Sequence, residues 1–425
     1  MKSDSYPFHA GATSAWRALH FALNYNLHQA LIAPARYLGF DIPPVRRGND
    51  FFAVEQRVVA HTPFCKLIRF SSGQGAANRR LICAPIAGHR AVQLRQIVEE
   101  LVADGDVYLT DWTDARDIPQ AAGRFGLDEN VLCILEFLQM LEPDGLDVLA
   151  ICQATLPTFA AICLSATRSG HEPRSLLLIG GPMDARKHPT QLATAARHVS
   201  ADEFLATCVG PIPVAYPGAG RLVYPGFLQS AAMTSGQTGR QWGLALDAGV
   251  ASCRNSPAET ASAFHAMITH CAGTTDLPAE LVLDIIDVVF QRFMLARGIW
   301  RVAGEPIMPA RLNTMRLFTL EGAADRIIGA GQTHAAIALC PGISGVPITL
   351  PDCDHYDLLG GRRWRHVVLP VLLTCLSAAR ETAHDTSTYS PGASPSAPCD
   401  TPRDGTNPVE RSASQPNQQG HHDPS

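Results

Sequence analysis

An apolar run, Val148-Leu149-Ala150-Ile151, ends at Cys152, with Ala150 two residues before the thiol and Ala154 two residues after it. A stretch with helical character, 156–166, follows at once. A strand that feeds a tight turn, one reactive side chain on that turn and a helix starting behind it make the layout of a nucleophile elbow. The small flanking residues suit it, because strand and helix backbones pass close together there. A buried cysteine is more often packing than chemistry, so the thiol needs partners elsewhere in the chain.

A thiol nucleophile needs a base to take its proton and a third group to orient that base. On an α/β-hydrolase scaffold the chain order is nucleophile, acid, histidine. A strand predicted over 315–320 runs into Glu321-Gly322-Ala323-Ala324-Asp325, which puts Asp325 on the following loop. A strand predicted over 347–350 runs into Pro351-Asp352-Cys353-Asp354-His355, which puts His355 on the next such loop. Taken singly, Asp325 could be a helix cap and His355 a solvated loop residue; their order and placement make them candidate catalytic partners of Cys152. An oxyanion hole needs backbone amides aimed at the developing charge. The Gln153 amide, next to the thiol, is one candidate donor, and Ile86 in Pro85-Ile86-Ala87-Gly88-His89 is the other, with Ala87 close behind.

The elements that must carry these residues alternate. Strands are expected at 80–85, 106–110, 146–151 and 175–179, and helices at 90–101, 128–141 and 156–166. This rhythm predicts an α/β fold, an α/β-hydrolase-like, doubly wound, mostly parallel sheet. It stops near Asp184 and resumes near Met315. The expected organisation is therefore a lead-in of helix and strands over 1–75 packed on the core, a hydrolase core at 76–183 and 305–380, and a cap or lid inserted at 184–304. The segments Gly181-Pro182-Met183-Asp184-Ala185-Arg186 and 221–227 are expected to form the floor and lid of a pocket, and Asp111-Trp112 to be structural. Arg362-Arg363-Trp364-Arg365 reads as an exposed first turn of the last helix. Residues 381–425 are rich in Ser, Thr, Pro, Asn and Gln and poor in large aliphatics, which predicts a disordered tail.

Composition narrows the class. The chain has 425 residues, 46% hydrophobic and 17% charged, enough for a sizeable core. A net charge of −5 gives no case for nucleic acid as a partner. No run reaches the roughly 18 apolar residues of a transmembrane segment, and the start has no secretory-signal layout. Twelve cysteines without a C-x-x-C pair suggest neither zinc nor a disulfide framework, and fit a reducing cytoplasmic setting. No metal or organic cofactor is implied.

Several further segments carry a resemblance: Ala84-Pro85-Ile86-Ala87-Gly88-His89, 106–116, Ala150-Ile151-Cys152-Gln153, Gly180 to Arg186, 223–229, Val289-Phe290-Gln291-Arg292, and His355-Tyr356 followed by 361–365. In their order and number they resemble the intracellular poly(3-hydroxybutyrate) depolymerases, from about residue 15 to 380. The resemblance implies an α/β-hydrolase fold and a cysteine nucleophile with aspartate and histidine partners, roles that fall on Cys152, Asp325 and His355. It also implies a polyhydroxyalkanoate polymer or its oligomers as substrate, and a place in the cytoplasm at the storage granule surface. Two departures stand out. Ala154 follows Gln153 where the resemblance leads one to expect an early proline, and Asp354 and Asp357 flank His355 where small residues are expected. Extra carboxylates there would raise the histidine's pKa.

The expected reaction is ester hydrolysis through a thioester on Cys152. The rival readings are a polyhydroxyalkanoate synthase-like acyltransferase, which the alanine rather than glycine flanks of the elbow disfavour, and a non-enzymatic granule-associated protein on the same scaffold.

Overall fold

A computed structural model describes residues 21–27, 29–30, 39–73, 78–87, 90–229 and 274–387. Eight strands form one sheet: β1 (Glu55–His61), β2 (Cys65–Ser71), β3 (Arg79–Cys83), β4 (Asp106–Trp112), β5 (Leu146–Ile151), β6 (Ser175–Ile179), β7 (Arg316–Gly322) and β8 (Gly345–Leu350). Their spatial order is β1-β2-β4-β3-β5-β6-β7-β8. β2 runs antiparallel to both its neighbours, and from β4 to β8 every pairing is parallel. The chain has an α/β-hydrolase fold. Two strands assigned to the lead-in by sequence, β1 and β2, are thus members of the main sheet.

The reason for the layering is legible in the central strands. Every residue of β5 and β6 is buried, as parallel strands covered on both faces require. Alternate side chains serve opposite layers. Val148, Ala150, Leu176 and Leu178 face helices α2 (Leu127–Met140) and α3 (Thr155–Ser169). Leu149, Ile151, Leu177 and Ile179 face α1 (Arg95–Leu101) and the C-terminal helix (Leu369–Ser387) on the other side. Each valine, leucine or isoleucine among them stabilises the fold by about 1.5–3 kcal/mol on burial. Asp147, at the start of β5, is fully buried but paired: Arg174 donates to both its oxygens (3.0 and 2.6 Å) and Ser175 to one (2.7 Å). A buried charge is tolerated when it is paired and hydrogen-bonded in this way.

Between β6 and β7 the chain leaves the sheet. The described part holds helices α4 (Gln191–His198), α5 (Ala201–Cys208) and α6 (Ala279–Ile285). Three short antiparallel strands, Gly210–Pro211, Leu222–Tyr224 and Leu277–Pro278, join them. Tyr25 from the N-terminal region packs into this excursion with Ile212 and Val223 and donates to Asp276. The helix that follows β8 continues to Ser387, past the expected end of ordered chain at 380. Residues 388–425, most of the expected tail, lie outside the described residues. The turn expected to be exposed at 362–365 is only partly so: its arginines face outward, but Trp364 is completely buried among Val368, Leu372 and neighbours, because an indole contributes most when covered.

Candidate active site

Strand β5 delivers Cys152 into a tight turn. Its φ is +53°, a left-handed conformation that a non-glycine residue adopts at a cost on the order of 1–3 kcal/mol. Two contacts hold it there. The Thr155 hydroxyl donates to the Cys152 carbonyl at 2.8 Å, and the 3₁₀ turn Cys152–Ala154 runs directly into α3. Pro157 sits in the first turn of α3, where its missing N–H removes no helical hydrogen bond. The neighbouring strand must come close: a Cβ on Gly181 would lie 1.8 Å from the Thr155 Oγ1. Only glycine fits beside the elbow.

The loops after β7 and β8 bring Asp325 and His355 to this turn. His355 Nε2 lies 3.1 Å from Cys152 Sγ, and His355 Nδ1 lies 2.7 Å from Asp325 Oδ2. A carboxylate can only accept, so Nδ1 is the donor and Nε2 is left facing the sulfur. The other Asp325 oxygen accepts the amides of Ile327 (2.8 Å) and Ile328 (2.9 Å), which fixes the carboxylate plane. Both side chains are nearly sealed from solvent, 3% exposed for Asp325 and 4% for His355. Burial alone would push the imidazole down. The charges of Asp325 and Cys152 and the hydrogen bonds to both outweigh it and hold His355 well above its ordinary value.

The carboxylates expected to do this, Asp354 and Asp357, have another task. The Asp354 amide donates to Asp357 Oδ2 (3.0 Å), and the Asp357 amide to Asp354 Oδ1 (2.9 Å). This reciprocal pair, built like a capping box, staples the turn that presents His355. One oxygen of each carboxylate accepts from backbone, and Asp325 and Cys152 are the main groups that raise the histidine. Glu321, the other acid on this strand end, accepts the amides of Gly331 (2.7 Å), Thr333 (2.7 Å) and His334 (3.1 Å), and so serves the following loop.

Of the candidate oxyanion donors, the Ile86 amide points to the elbow but is occupied: it donates to Gln153 Oε1 at 3.2 Å. Gly88 and His89 lie outside the described residues. Trp112 donates to the Ala84 carbonyl at 2.8 Å, which ties β4 to the start of this loop.

A small pocket opens at Cys152 and His355. Its apolar wall is formed by Pro85, Ala87, Ala91, Leu94, Ile327 and Leu359. Neither segment expected as floor and lid lines it. Asp184 and Arg186 pair with each other (2.8 Å), and Arg221 donates to the carbonyls of Ile118, Pro119 and Gly123. Arg221 thus braces the backbone of residues 118–123, while Arg186 pairs locally with Asp184. Arg90, Gln93 and Tyr356, which do line the pocket, escaped the sequence reading. Thr155 escaped it too, although a threonine opening a helix is a recognisable sign. Most of the described cysteines are inert by position: burial pushes Cys83 and Cys340 up to about 12 and Cys375 to about 11. Cys152 is only half-buried.

Residues 180–379 match the family model described as "PHB de-polymerase C-terminus". That span contains Asp325 and His355 but not Cys152, and over it the chain resembles the depolymerases named above. No curated protein matches the chain. Solved structures similar to it include a putative lipase from Acinetobacter baumannii, 12% identical, covering 83% of this chain and 97% of its own, with TM-score 0.43. A carboxylesterase from the thaumarchaeon Nitrososphaera gargenis is 10% identical over 77% of this chain and 100% of its own, TM-score 0.44. The RedJ thioesterase of Streptomyces coelicolor is 15% identical over 71% of this chain and 91% of its own, TM-score 0.38. The fold assignment itself rests on the strand order and the parallel pairing given above.

Proposed function

We propose that this chain, with its match to the depolymerase C-terminus, is a hydrolase that cleaves the ester bonds of poly(3-hydroxybutyrate) or a related polyhydroxyalkanoate through Cys152, His355 and Asp325. The family match supports an ester hydrolase. The observation that carries the finer reading is the line from Asp325 through His355 to Cys152, at 2.7 and 3.1 Å.

His355 takes the proton of Cys152, and the thiolate attacks the ester carbonyl. The tetrahedral oxyanion is held by the amides of Gln153 and, once its side-chain acceptor moves aside, Ile86. The carbon–oxygen bond breaks, and His355 gives its proton to the departing alkoxide. Water then attacks the thioester, losing a proton to His355, and the acid product leaves as the thiol is restored. Asp325 stays ionised and stabilises the imidazolium in both halves.

The substrate polymer lies at a granule surface in this reading. Leu205, Val214 and Leu222 in the excursion between β6 and β7 are 37%, 95% and 49% exposed and offer an apolar contact to it. No helix among the described residues is long and apolar enough to cross a membrane. The test of function is release of 3-hydroxybutyrate from amorphous granules by wild type and by Cys152→Ala. Release that persists in the variant contradicts the role of the thiol. Release by neither, with coenzyme A liberated from hydroxybutyryl-coenzyme A by the wild type, favours the synthase reading.

A further inference from the structure

The apolar wall of the small pocket beside Cys152 is drawn from the same loops that carry the chemistry. Ala87 and Leu94 follow β3, in the segment that presents the Ile86 amide. Ile327 stands two residues after Asp325, and its amide donates to that carboxylate at 2.8 Å. Leu359 follows the 3₁₀ turn Tyr356–Leu358, four residues after His355. Cys152 and Leu359 both pack against the core layer that holds Ala91 and Leu94. Leu359 packs as well against the cluster of Ile327, Ile328 and Tyr356, and so bridges the two. A carbonyl carbon bonded to the Cys152 sulfur begins a 3-hydroxyacyl unit whose alkyl branch leaves the chain two carbons further on. An alkyl branch gains by leaving water for a wall of this kind. A small pocket sets a limit to that gain, because added methylenes must displace packed side chains.

Resting on the hydrolase reading above, we propose that this pocket holds the alkyl branch of the 3-hydroxyacyl unit carried by Cys152, and that Leu359 sets its length. The methyl branch of 3-hydroxybutyrate is admitted, and propyl or longer branches are excluded. Leu359 is the residue to vary because it is half-buried, whereas Leu94 is 2% exposed and serves the core as well. The rival role for Leu359 is packing alone, to steady the loop that presents His355. Truncation would then slow every ester alike, whereas a gauge of branch length divides them.

The experiment compares the p-nitrophenyl esters of 3-hydroxybutyrate and 3-hydroxyhexanoate, using wild type, Leu359→Ala and Leu359→Phe. The leaving group is the same in both, so a change in their ratio reports the acyl unit. Wild type is expected to favour the hydroxybutyrate by about tenfold or more in kcat/KM, the discrimination a hydrophobic pocket makes against added methylenes. In Leu359→Ala the ratio falls to near one or inverts, because the hexanoate branch enters the space vacated. In Leu359→Phe the hydroxybutyrate ester is slowed as well, because the larger ring fills the pocket. Equal rates on the two esters by wild type, or a ratio unchanged in Leu359→Ala, overturn the inference and leave the hydrolase reading standing. Hydrolysis of neither by wild type overturns both.

Discussion

Asp325 accepts the Nδ1 hydrogen of His355 at 2.7 Å, from a loop on one strand end to a loop on the next. The pair is closed to solvent, so the carboxylate acts on the imidazole with little screening. It is the first-ranking influence that opposes burial and holds His355 above its ordinary value.

Asp325→Asn removes that charge and leaves burial to pull the imidazole down. Nuclear magnetic resonance titration of His355 is expected to place it above about 6.5 in wild type and lower in the variant. Turnover falls on the order of 10³–10⁴-fold. The raised imidazolium also contributes stability, fully present below about pH 6.5 and lost as pH rises through the folded-state value. The difference in unfolding free energy between wild type and variant therefore shrinks across that window. A gap that widens with pH contradicts the assignment.

Gln153→Met keeps the backbone amide beside the thiol but removes the acceptor that occupies the Ile86 amide. The Ile86 amide resonance is expected to shift. kcat/KM is expected to rise by less than tenfold, the range of one neutral hydrogen bond to the developing oxyanion. An unmoved resonance, or a collapse of turnover, contradicts a gating role for this side chain.

Gly181→Ala tests the packing of the elbow. The added methyl meets Thr155 Oγ1 at 1.8 Å, and Thr155 holds the Cys152 carbonyl. Overpacking of this kind costs about 1–3 kcal/mol. Thermal unfolding is expected to register that loss, with turnover lowered as the elbow shifts. A variant as stable and active as wild type means the elbow is looser than its contacts indicate.

Substituting Leu205, Val214 and Leu222 together with aspartate is expected to weaken sedimentation with amorphous granules while hydrolysis of a soluble oligomer continues. Unchanged sedimentation rules out this surface as the contact.

Much of this arrangement is legible in the sequence because local signals coincide there. The β5 run of aliphatics ending at a residue between small neighbours can hardly be anything but a buried strand entering a turn, and its bounds agree with the structure. Asp325 and His355 stand out because each follows a strand with the right residue type. What the sequence hides is non-local. Nothing in the spacing of Asp354 and Asp357 says that they bond each other's amides. The burial of Trp364 depends on a helix face visible only after folding. The place of Arg90 beside Cys152 depends on segments far apart in the chain, which no short window of residues encodes. The excursion between β6 and β7 is expected from the sequence as an insertion over 184–304, but its short strands are not, because partners far along the chain hold them, such as Val223 with Pro278.

The central claim is that Cys152 carries the acyl group. Acid quenching of the enzyme during turnover of a 3-hydroxybutyrate oligomer, followed by peptide mass spectrometry, tests it directly. The account predicts a 3-hydroxybutyryl thioester on the peptide containing Cys152, released by neutral hydroxylamine and absent from Cys152→Ala. Turnover with no acyl adduct at Cys152, or with the adduct on another residue, contradicts it.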